Sequence, residues 1–496
     1  MVEELIHAKR MVIVSNRLPI TLHKTDAGQW QIKSGSGGLI TALGAVLRNR
    51  GGRWIGWIGA DDESAIPLAK GASREAGYEL TPVLLTAEEV DRYYHGFANA
   101  VLWPLFHDFI NRCDFAPEYW PAYQQVNHKF ARIIAETTAP TDYIWVQDYH
   151  LTLVAGYLRE LGANRRTGFF LHVPFPPLDI FLRLPWRAQV LNALLQFDLI
   201  AFQTMRDHRN FMQCVRTLLP GIRLEKEDKF VSKVTTPERS LRVAAIPIGI
   251  DYDEFARGAE QAAEAAWYIH EKLPERQLIL GVDRLDYSKG IPQRIRAIGN
   301  ALERYPDLRE RFTFTQVVVP SREDVPEYQE LRSEIERLVG EINGRFTTSG
   351  WTPIHYIYRS LTREELLAYY RTSEVMLVTP LKDGMNLVAK EFCACSIEEN
   401  AVLILSEFAG AAAQLSRYAL LVNPYDVEGV ADALHTALSM DGKERQSRMH
   451  RARTVIRRES IYWWVDNFLK AAISADLSYF PRAEYFVPQM DNKESA

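Results

Sequence analysis

Short apolar runs of strand length recur along this chain, each closed by a polar or glycine-bearing turn and followed by a helix-like stretch. That alternation constrains the fold more than any other feature. Strand-then-helix units assemble into a mostly parallel sheet with helices on its faces. The first series is Met11-Val12-Ile13-Val14-Ser15, Trp54-Ile55-Gly56-Trp57-Ile58-Gly59, Ile144-Trp145-Val146, Gly168-Phe169-Phe170-Leu171 and Leu199-Ile200-Ala201-Phe202. A second series follows at 277–282, 312–319, 356–358, 375–378 and 402–406. Between the two, Pro247-Ile248-Gly249-Ile250-Asp251 interrupts the pattern. The expected fold is α/β, with two facing Rossmann-like doubly wound domains and the site in the cleft between them. Their expected bounds are 1–246 and 247–460, with a C-terminal helix and tail at 461–496. A chain of 496 residues suits two such cores. The aromatic stretch 461–469 can pack on either domain, including back on the first. The polar tail at 488–496 is expected to fray.

The formal net charge of −5 gives no reason to expect nucleic acid or an anionic membrane as partner. No apolar run approaches a membrane span. The first one, from Met11, is too short for a signal peptide, so a cytoplasmic location is expected. The four cysteines, Cys113, Cys214, Cys393 and Cys395, have neither zinc nor thioredoxin spacing and read as buried small hydrophobes.

The densest chemical signal is Asp383-Gly384-Met385-Asn386-Leu387-Val388-Ala389-Lys390-Glu391, just after the run Val375–Val378. Glycine admits backbone N–H groups close to a ligand, and a helix start favours an anion. Asp383 and Glu391 are eight positions apart, about two helical turns, so both carboxylates can face one way. A strand, a polar turn and a helix of this kind can hold a sugar nucleotide, the first acid meeting the sugar and the second the ribose. Arg284 and Lys289 follow another strand and converge if the chain turns at Tyr287-Ser288. A guanidinium and an ammonium at one place suit a diphosphate. The competing reading pairs them with Asp283 and Asp286 at the surface.

Other candidates also sit after strands. His172 lies in Leu171-His172-Val173-Pro174-Phe175-Pro176, where two prolines fix the backbone. Asp148 can accept hydrogen bonds from sugar hydroxyls, while His150 reads as structural. Arg17 and Arg322 are single arginines that suit a phosphate or a surface ion pair. Tyr93, Tyr94 and Trp103 offer flat faces for a sugar ring, with core packing as the ordinary alternative. The segment Gly35-Ser36-Gly37-Gly38 has neither dinucleotide nor Walker spacing and reads as a backbone platform near a ligand.

Together these residues resemble the trehalose-6-phosphate synthases, a family of retaining glucosyltransferases with two facing Rossmann-like domains. The matching motifs run from Val14-Ser15-Asn16-Arg17 to Val422-Asn423-Pro424-Tyr425-Asp426. They include Gly37-Gly38-Leu39, Asn99-Ala100-Val101-Leu102-Trp103-Pro104, Asp148-Tyr149-His150-Leu151 and Arg284-Leu285-Asp286-Tyr287-Ser288-Lys289-Gly290. The resemblance implies that Arg17, Trp57, Tyr94, Trp103, Asp148 and Arg322 bind glucose 6-phosphate, with both arginines on its phosphate. It implies that Gly37, Gly38, Arg284, Lys289, Leu361, Asp383, Gly384, Met385, Asn386, Leu387, Val388, Ala389, Lys390 and Glu391 hold UDP-glucose. His172, Arg284, Lys289 and Asp383 fall at the reaction itself, and Trp103 and Val173 where the family selects the acceptor's anomer. Two positions depart from relatives: Leu361 replaces an aromatic residue of some members, and Ala413-Gln414 an Asn-Glu of some bacterial ones.

The implied reaction is glucosyl transfer from UDP-glucose to glucose 6-phosphate by a front-face route. Arg284 and Lys289 would take the place of a metal, and no cofactor or metal is expected. The expected partners are the two substrates and a second copy of the chain in a dimer or tetramer. Three alternatives stay open here: a relative using glycerol 3-phosphate, a non-catalytic sugar-phosphate-binding regulator, and a nicotinamide dehydrogenase, which lacks its glycine fingerprint. The donor base, UDP against ADP or GDP, is not readable.

Overall fold

In a computed structural model, strand β1 (Met11–Arg17) is buried along six of its seven residues, and only Arg17 at its end is exposed. The structure describes residues 10–24, 30–34, 40, 43, 44, 46–48, 51–262, 265, 276–322, 325–474, 477 and 480. Their contacts divide into two compact units. One is drawn from Met1–Ile248 and Tyr462–Ala483, the other from Gly249–Ile461.

The first unit adds β2 (Ile20–Lys24), β3 (Trp30–Ser34), β4 (Gly52–Trp57), β5 (Glu79–Val83), β6 (Tyr143–Gln147), β7 (Arg166–Leu171), β8 (Leu199–Phe202), β9 (Arg223–Lys226), β10 (Val231–Thr235) and β11 (Ser240–Ala245). β2 and β3 form a separate antiparallel pair. The nine-stranded sheet runs β5-β4-β1-β6-β7-β8-β11-β10-β9. From β5 to β8 this is the doubly wound order 3-2-1-4-5-6, with its topological switch between β1 and β6. Strand β10 is antiparallel to both neighbours. The sequence reading did not foresee β2, β3, β5 or β9–β11, and the last three are short and in part exposed.

The helix Ile461–Ile473 packs on this first sheet. Trp464 and Phe468 lie 4.8 and 4.0 Å from Trp145 by ring centroid, and Trp464 meets Phe170 at 4.9 Å. The fit leaves no room at Gly168, where a Cβ would come within 2.3 Å of the Tyr143 hydroxyl and 2.7 Å of the Phe468 ring. Each large side chain buried this way contributes about 1.5–3 kcal/mol.

The second unit contains β12 (Gln277–Arg284), β13 (Phe312–Val319), β14 (Ile354–Tyr358), β15 (Val375–Val378), β16 (Val402–Ser406) and β17 (Leu420–Val422). All pair in parallel, in the order β14-β13-β12-β15-β16-β17, again 3-2-1-4-5-6. Its switch point lies between β12 and β15. The helix Ile291–Arg304 shows why the sequence folds this way: Ile291, Ile295, Ile298 and Leu302, spaced 4, 3 and 4, are fully buried on one stripe. Among the described residues no helix is long and apolar enough to cross a membrane.

Candidate active site

Both sheets present loops at the carboxyl ends of their strands, and the sequence-predicted residues that are described gather there. In the first unit Arg17 ends β1, Trp57 ends β4, Asp148 follows β6 and His172 and Val173 follow β7. Tyr94 and Trp103 sit on and just after the helical segment Val90–Leu102, which follows β5. The exposed Arg17 guanidinium lies 4.3 Å over the Trp57 ring and 5.5 Å over that of Tyr94. A cation held on two aromatic faces, with nitrogens left to the solvent side, suits an anionic group of a ligand. Trp57 is buried, and its indole N–H has no hydrogen-bond partner among the described residues. Tyr93, by contrast, is wholly buried and donates to Asn16 Oδ1 at 2.9 Å, so it belongs to the core.

Asp148 has φ 72° and ψ 168°, a region that non-glycine residues seldom occupy. Its own N–H donates to the Phe170 carbonyl at 2.8 Å, and its Oδ1 accepts from the His172 N–H at 3.1 Å. The loops after β6 and β7 are thereby fixed to each other. Arg322 and Asn386 also have positive φ, 50° and 71°. Three of the six non-glycine residues of this kind among the described residues are thus predicted site residues, a concentration of strain that marks functional loops.

The His172 ring nitrogen Nε2 is 2.9 Å from Gln147 Oε1. Burial lowers its pKa from 6.5 to about 3, so the imidazole is neutral at pH 7. His172 therefore acts there by hydrogen bonding and contact, not as a cation. The sign of the pH effect follows. Between about 3 and 6.5 the unfolded chain binds this proton and the folded chain does not. Stability from this group is complete above 6.5 and is lost as pH falls toward 3. His172→Gln should flatten the rise of unfolding free energy with pH across that window; an unchanged slope would contradict the buried neutral ring.

In the second unit the turn Tyr287–Lys289 follows β12, and the loop carrying Asp383 follows β15, one on each side of the switch point. Lys289 Nζ and Asp383 Oδ2 are 2.6 Å apart and mostly buried. Asn386 Nδ2 donates to the same carboxylate oxygen at 3.1 Å. The Leu381 N–H donates to the Ser288 carbonyl at 2.8 Å, tying the two loops together. The competing surface pairing of these cations does not form as expected for Lys289. Asp283 is engaged by the buried Arg294, and Asp286 accepts from the Ser288 N–H at 2.9 Å and from the Tyr328 hydroxyl at 3.5 Å. Arg284 is exposed at the end of β12.

The helix after Asp383 begins only at Leu387. Asp383 therefore sits in a loop, not two turns along a helix from Glu391. Asn386 caps the helix, its side chain accepting from the Ala389 N–H at 3.4 Å. The loop is backed by 408–411, where the Ala411 N–H donates to the Met385 carbonyl at 2.8 Å. That approach requires glycine at 410, since a Cβ would stand 1.8 Å from the Gly384 carbonyl oxygen. Glu391 accepts from the Tyr370 hydroxyl at 3.1 Å, and burial pushes its carboxyl up. Lys390 points into the interior at 1% exposure, where burial pulls its ammonium down to about 7. Leu361 is half-buried just after β14, and Gly37 and Gly38 lie outside the described residues.

Arg322 is on the second unit, whereas the other five predicted acceptor residues are on the first. It donates to the Tyr328 hydroxyl, which burial pushes above its usual range. Sequence reasoning missed Tyr328, and it missed Arg294, whose guanidinium reaches Asp283, Gln316, Thr379 and the Lys289 carbonyl beneath the loops. It also missed Asn99, whose side chain donates to the Tyr94 carbonyl and accepts from the Tyr149 hydroxyl. The available signals were spacing, Arg322 to Tyr328 and Asn99 to Tyr94. Among the described residues no group of three or more His, Cys, Asp or Glu side chains is placed to share a metal ion.

A family model described as glycosyltransferase family 20 matches residues 9–473. The trehalose-6-phosphate synthase of Mycolicibacterium smegmatis is 41% identical over 467 residues, covering 93% of this chain and 92% of that protein. An α,α-trehalose-phosphate synthase (UDP-forming) of Burkholderia xenovorans, in complex with glucose-6-phosphate, superposes with a TM-score of 0.84 at 36% identity, over 93% of this chain and 100% of that one. An E. coli structure bound with UDP-2-fluoro glucose superposes with a TM-score of 0.84 at 37% identity, over 94% and 99%.

Proposed function

The chain belongs to glycosyltransferase family 20, among the trehalose-6-phosphate synthases, and from that premise we propose that it makes α,α-trehalose 6-phosphate and UDP from UDP-glucose and glucose 6-phosphate. The observation that carries the reading is the Lys289–Asp383 pair at the switch point of the second sheet, with Arg284 at the end of the adjoining strand. Doubly wound sheets bind nucleotides at that place.

The second unit takes the donor. Arg284 and Lys289 meet the diphosphate, the first turn of the helix Leu387–Cys395 adds its N–H groups, and Glu391 takes the ribose. Asp383 holds the Lys289 ammonium in place and meets the transferring glucose. The first unit takes the acceptor: Arg17 binds its phosphate, Trp57, Tyr94 and Trp103 form apolar walls, and Asp148 accepts from a sugar hydroxyl. Arg322 supplies a second guanidinium to that phosphate.

The donor is α-linked and the product is α,α, so configuration is retained. In the front-face route the acceptor's anomeric oxygen bonds to C1 from the side on which the C1–O(phosphate) bond breaks. The bonding pair leaves with UDP, and the acceptor's proton passes to the departing phosphate oxygen. Negative charge grows on the diphosphate as that bond lengthens, so cations fixed beforehand lower the barrier. His172, neutral, contacts the transferring glucose without supplying charge. Transfer proceeds without a metal in this scheme because the two cations occupy the position a metal would serve.

Turnover with UDP-, ADP- and GDP-glucose against glucose 6-phosphate and glycerol 3-phosphate tests the reading. The expected result is transfer from UDP-glucose to glucose 6-phosphate; preference for glycerol 3-phosphate, or no turnover with any pair, would overturn it. Arg322→Ala should raise the KM for glucose 6-phosphate about tenfold or more, the loss of one charged hydrogen-bonding group, and leave the KM for UDP-glucose nearly unchanged. An unchanged acceptor KM would remove Arg322 from the phosphate site.

A further inference from the structure

We propose that the π-helical winding of Val90–Leu102 is the device that gathers the aromatic wall of the acceptor pocket, with Asn99 as its positioning residue. The proposal rests on the acceptor reading above. Thirteen consecutive residues are wound this way, whereas π turns ordinarily occur singly inside α-helices. Bonding from i to i+5 gives about 4.4 residues per turn. Tyr94 and Trp103 are nine positions apart, which is close to two π turns, so they share a face. In an α-helix of 3.6 residues per turn the same nine positions make two and a half turns, and the two rings would face opposite ways.

The shared face is visible in the contacts. Tyr94 stacks on His150 at 5.8 Å with 13° between ring planes, and Trp103 lies 5.9 Å from the Tyr149 ring. Both rings thus meet one short turn, Tyr149–Leu151, which directly follows Asp148. The winding continues to its end, where the Trp103 N–H donates to the Ala98 carbonyl, five residues back. Asn99 sits between the two rings in sequence and serves both sides. Its Nδ2 donates to the Tyr94 carbonyl at 2.7 Å, closing a five-residue span, and its Oδ1 accepts from the Tyr149 hydroxyl at 2.9 Å. Neighbouring chain holds the winding from outside. The Asp114 N–H donates to the Ala100 carbonyl at 2.9 Å, and Gly96 admits the Tyr119 ring so closely that a Cβ would stand 2.5 Å from it. Loosening the Asn99 clamp lets Tyr94 and Trp103 drift from a common wall while the donor unit is untouched.

The test compares Asn99→Ala, Tyr149→Phe and the double variant with the parent protein. Both single variants should raise the KM for glucose 6-phosphate about tenfold, with the KM for UDP-glucose changed by less than about twofold. The double variant should be no worse than Asn99→Ala alone, since both remove the same bond. Selectivity for glucose 6-phosphate over mannose 6-phosphate, a difference at one hydroxyl, should narrow in all three. Tyr149→Phe keeps the ring and provides the decisive arm if Asn99→Ala does not fold. Unchanged acceptor KM and selectivity, or an equal loss for both substrates, would overturn the proposal. Calorimetry on the parent protein separates the two levels. Absence of glucose 6-phosphate binding there would overturn the acceptor reading and this device with it. Normal binding there with unaffected variants would overturn the device alone.

Discussion

Lys289→Ala should lower turnover by about 10²–10³-fold while leaving the chain folded, the scale seen when one preorganised electrostatic group is lost from a transition state. The ammonium lies 2.6 Å from Asp383 in the resting site, so it is fixed before any ligand arrives. The charge it serves is largest when the bond between C1 and the diphosphate is nearly broken. Its removal should therefore appear mainly in kcat and only modestly in the donor KM. Asp383 keeps the Asn386 Nδ2 contact at 3.1 Å, which limits the structural damage. Lys289→Arg should recover part of the loss, because charge remains but its position shifts. Single-turnover kinetics with UDP-glucose would check this. A near-normal kcat in Lys289→Ala would remove the residue from the leaving-group role.

Arg294→Met should destabilise the second unit by about 3–5 kcal/mol, the cost of stranding a buried charge by removing its partner. Arg294 is 1% exposed and engages Asp283, Gln316 Oε1 at 3.0 Å and Thr379 Oγ1 at 2.9 Å. It thereby links β12, β13 and the chain leaving β15, and the donor loops depart from the first and the last of these. Methionine keeps much of the apolar stem and isolates the loss of the guanidinium. Urea unfolding should show a lower midpoint for this unit. A shift below about 1 kcal/mol would mean that Asp283 finds another partner. Activity should fall too, because the Lys289 carbonyl accepts from the same guanidinium at 3.3 Å.

These residues show how far the sequence could be read. Apolar runs such as Met11–Val14 and Val375–Val378 revealed most of the parallel strands, because strands covered on both faces are largely apolar. Strands β9–β11 escaped because short, largely polar and exposed runs such as Arg223–Lys226 carry little pattern, and their pairing depends on partner strands. The order 3-2-1-4-5-6 is likewise a matter of pairing between segments far apart. The expected alignment of Asp383 with Glu391 failed for a local reason. Asn386 takes a left-handed conformation and starts the helix at Leu387, which leaves the first acid in the loop. The chemistry-bearing residues were visible because they follow strands. Their supports, Arg294, Tyr328 and Asn99, were not, because a side chain's partners are set by tertiary contact. The C-terminal helix could have packed on either unit by pattern alone, and the ring contacts with Trp145 and Phe170 decide it.

The central claim is that glucose passes from UDP-glucose to glucose 6-phosphate with its configuration kept. Proton NMR of the product formed from those two substrates, in the presence of a metal chelator, tests it most directly. The predicted result is a single disaccharide phosphate with both anomeric protons showing the small coupling of α linkages, formed at the rate seen without chelator. A large anomeric coupling, or transfer that stops when the chelator is added, would contradict it.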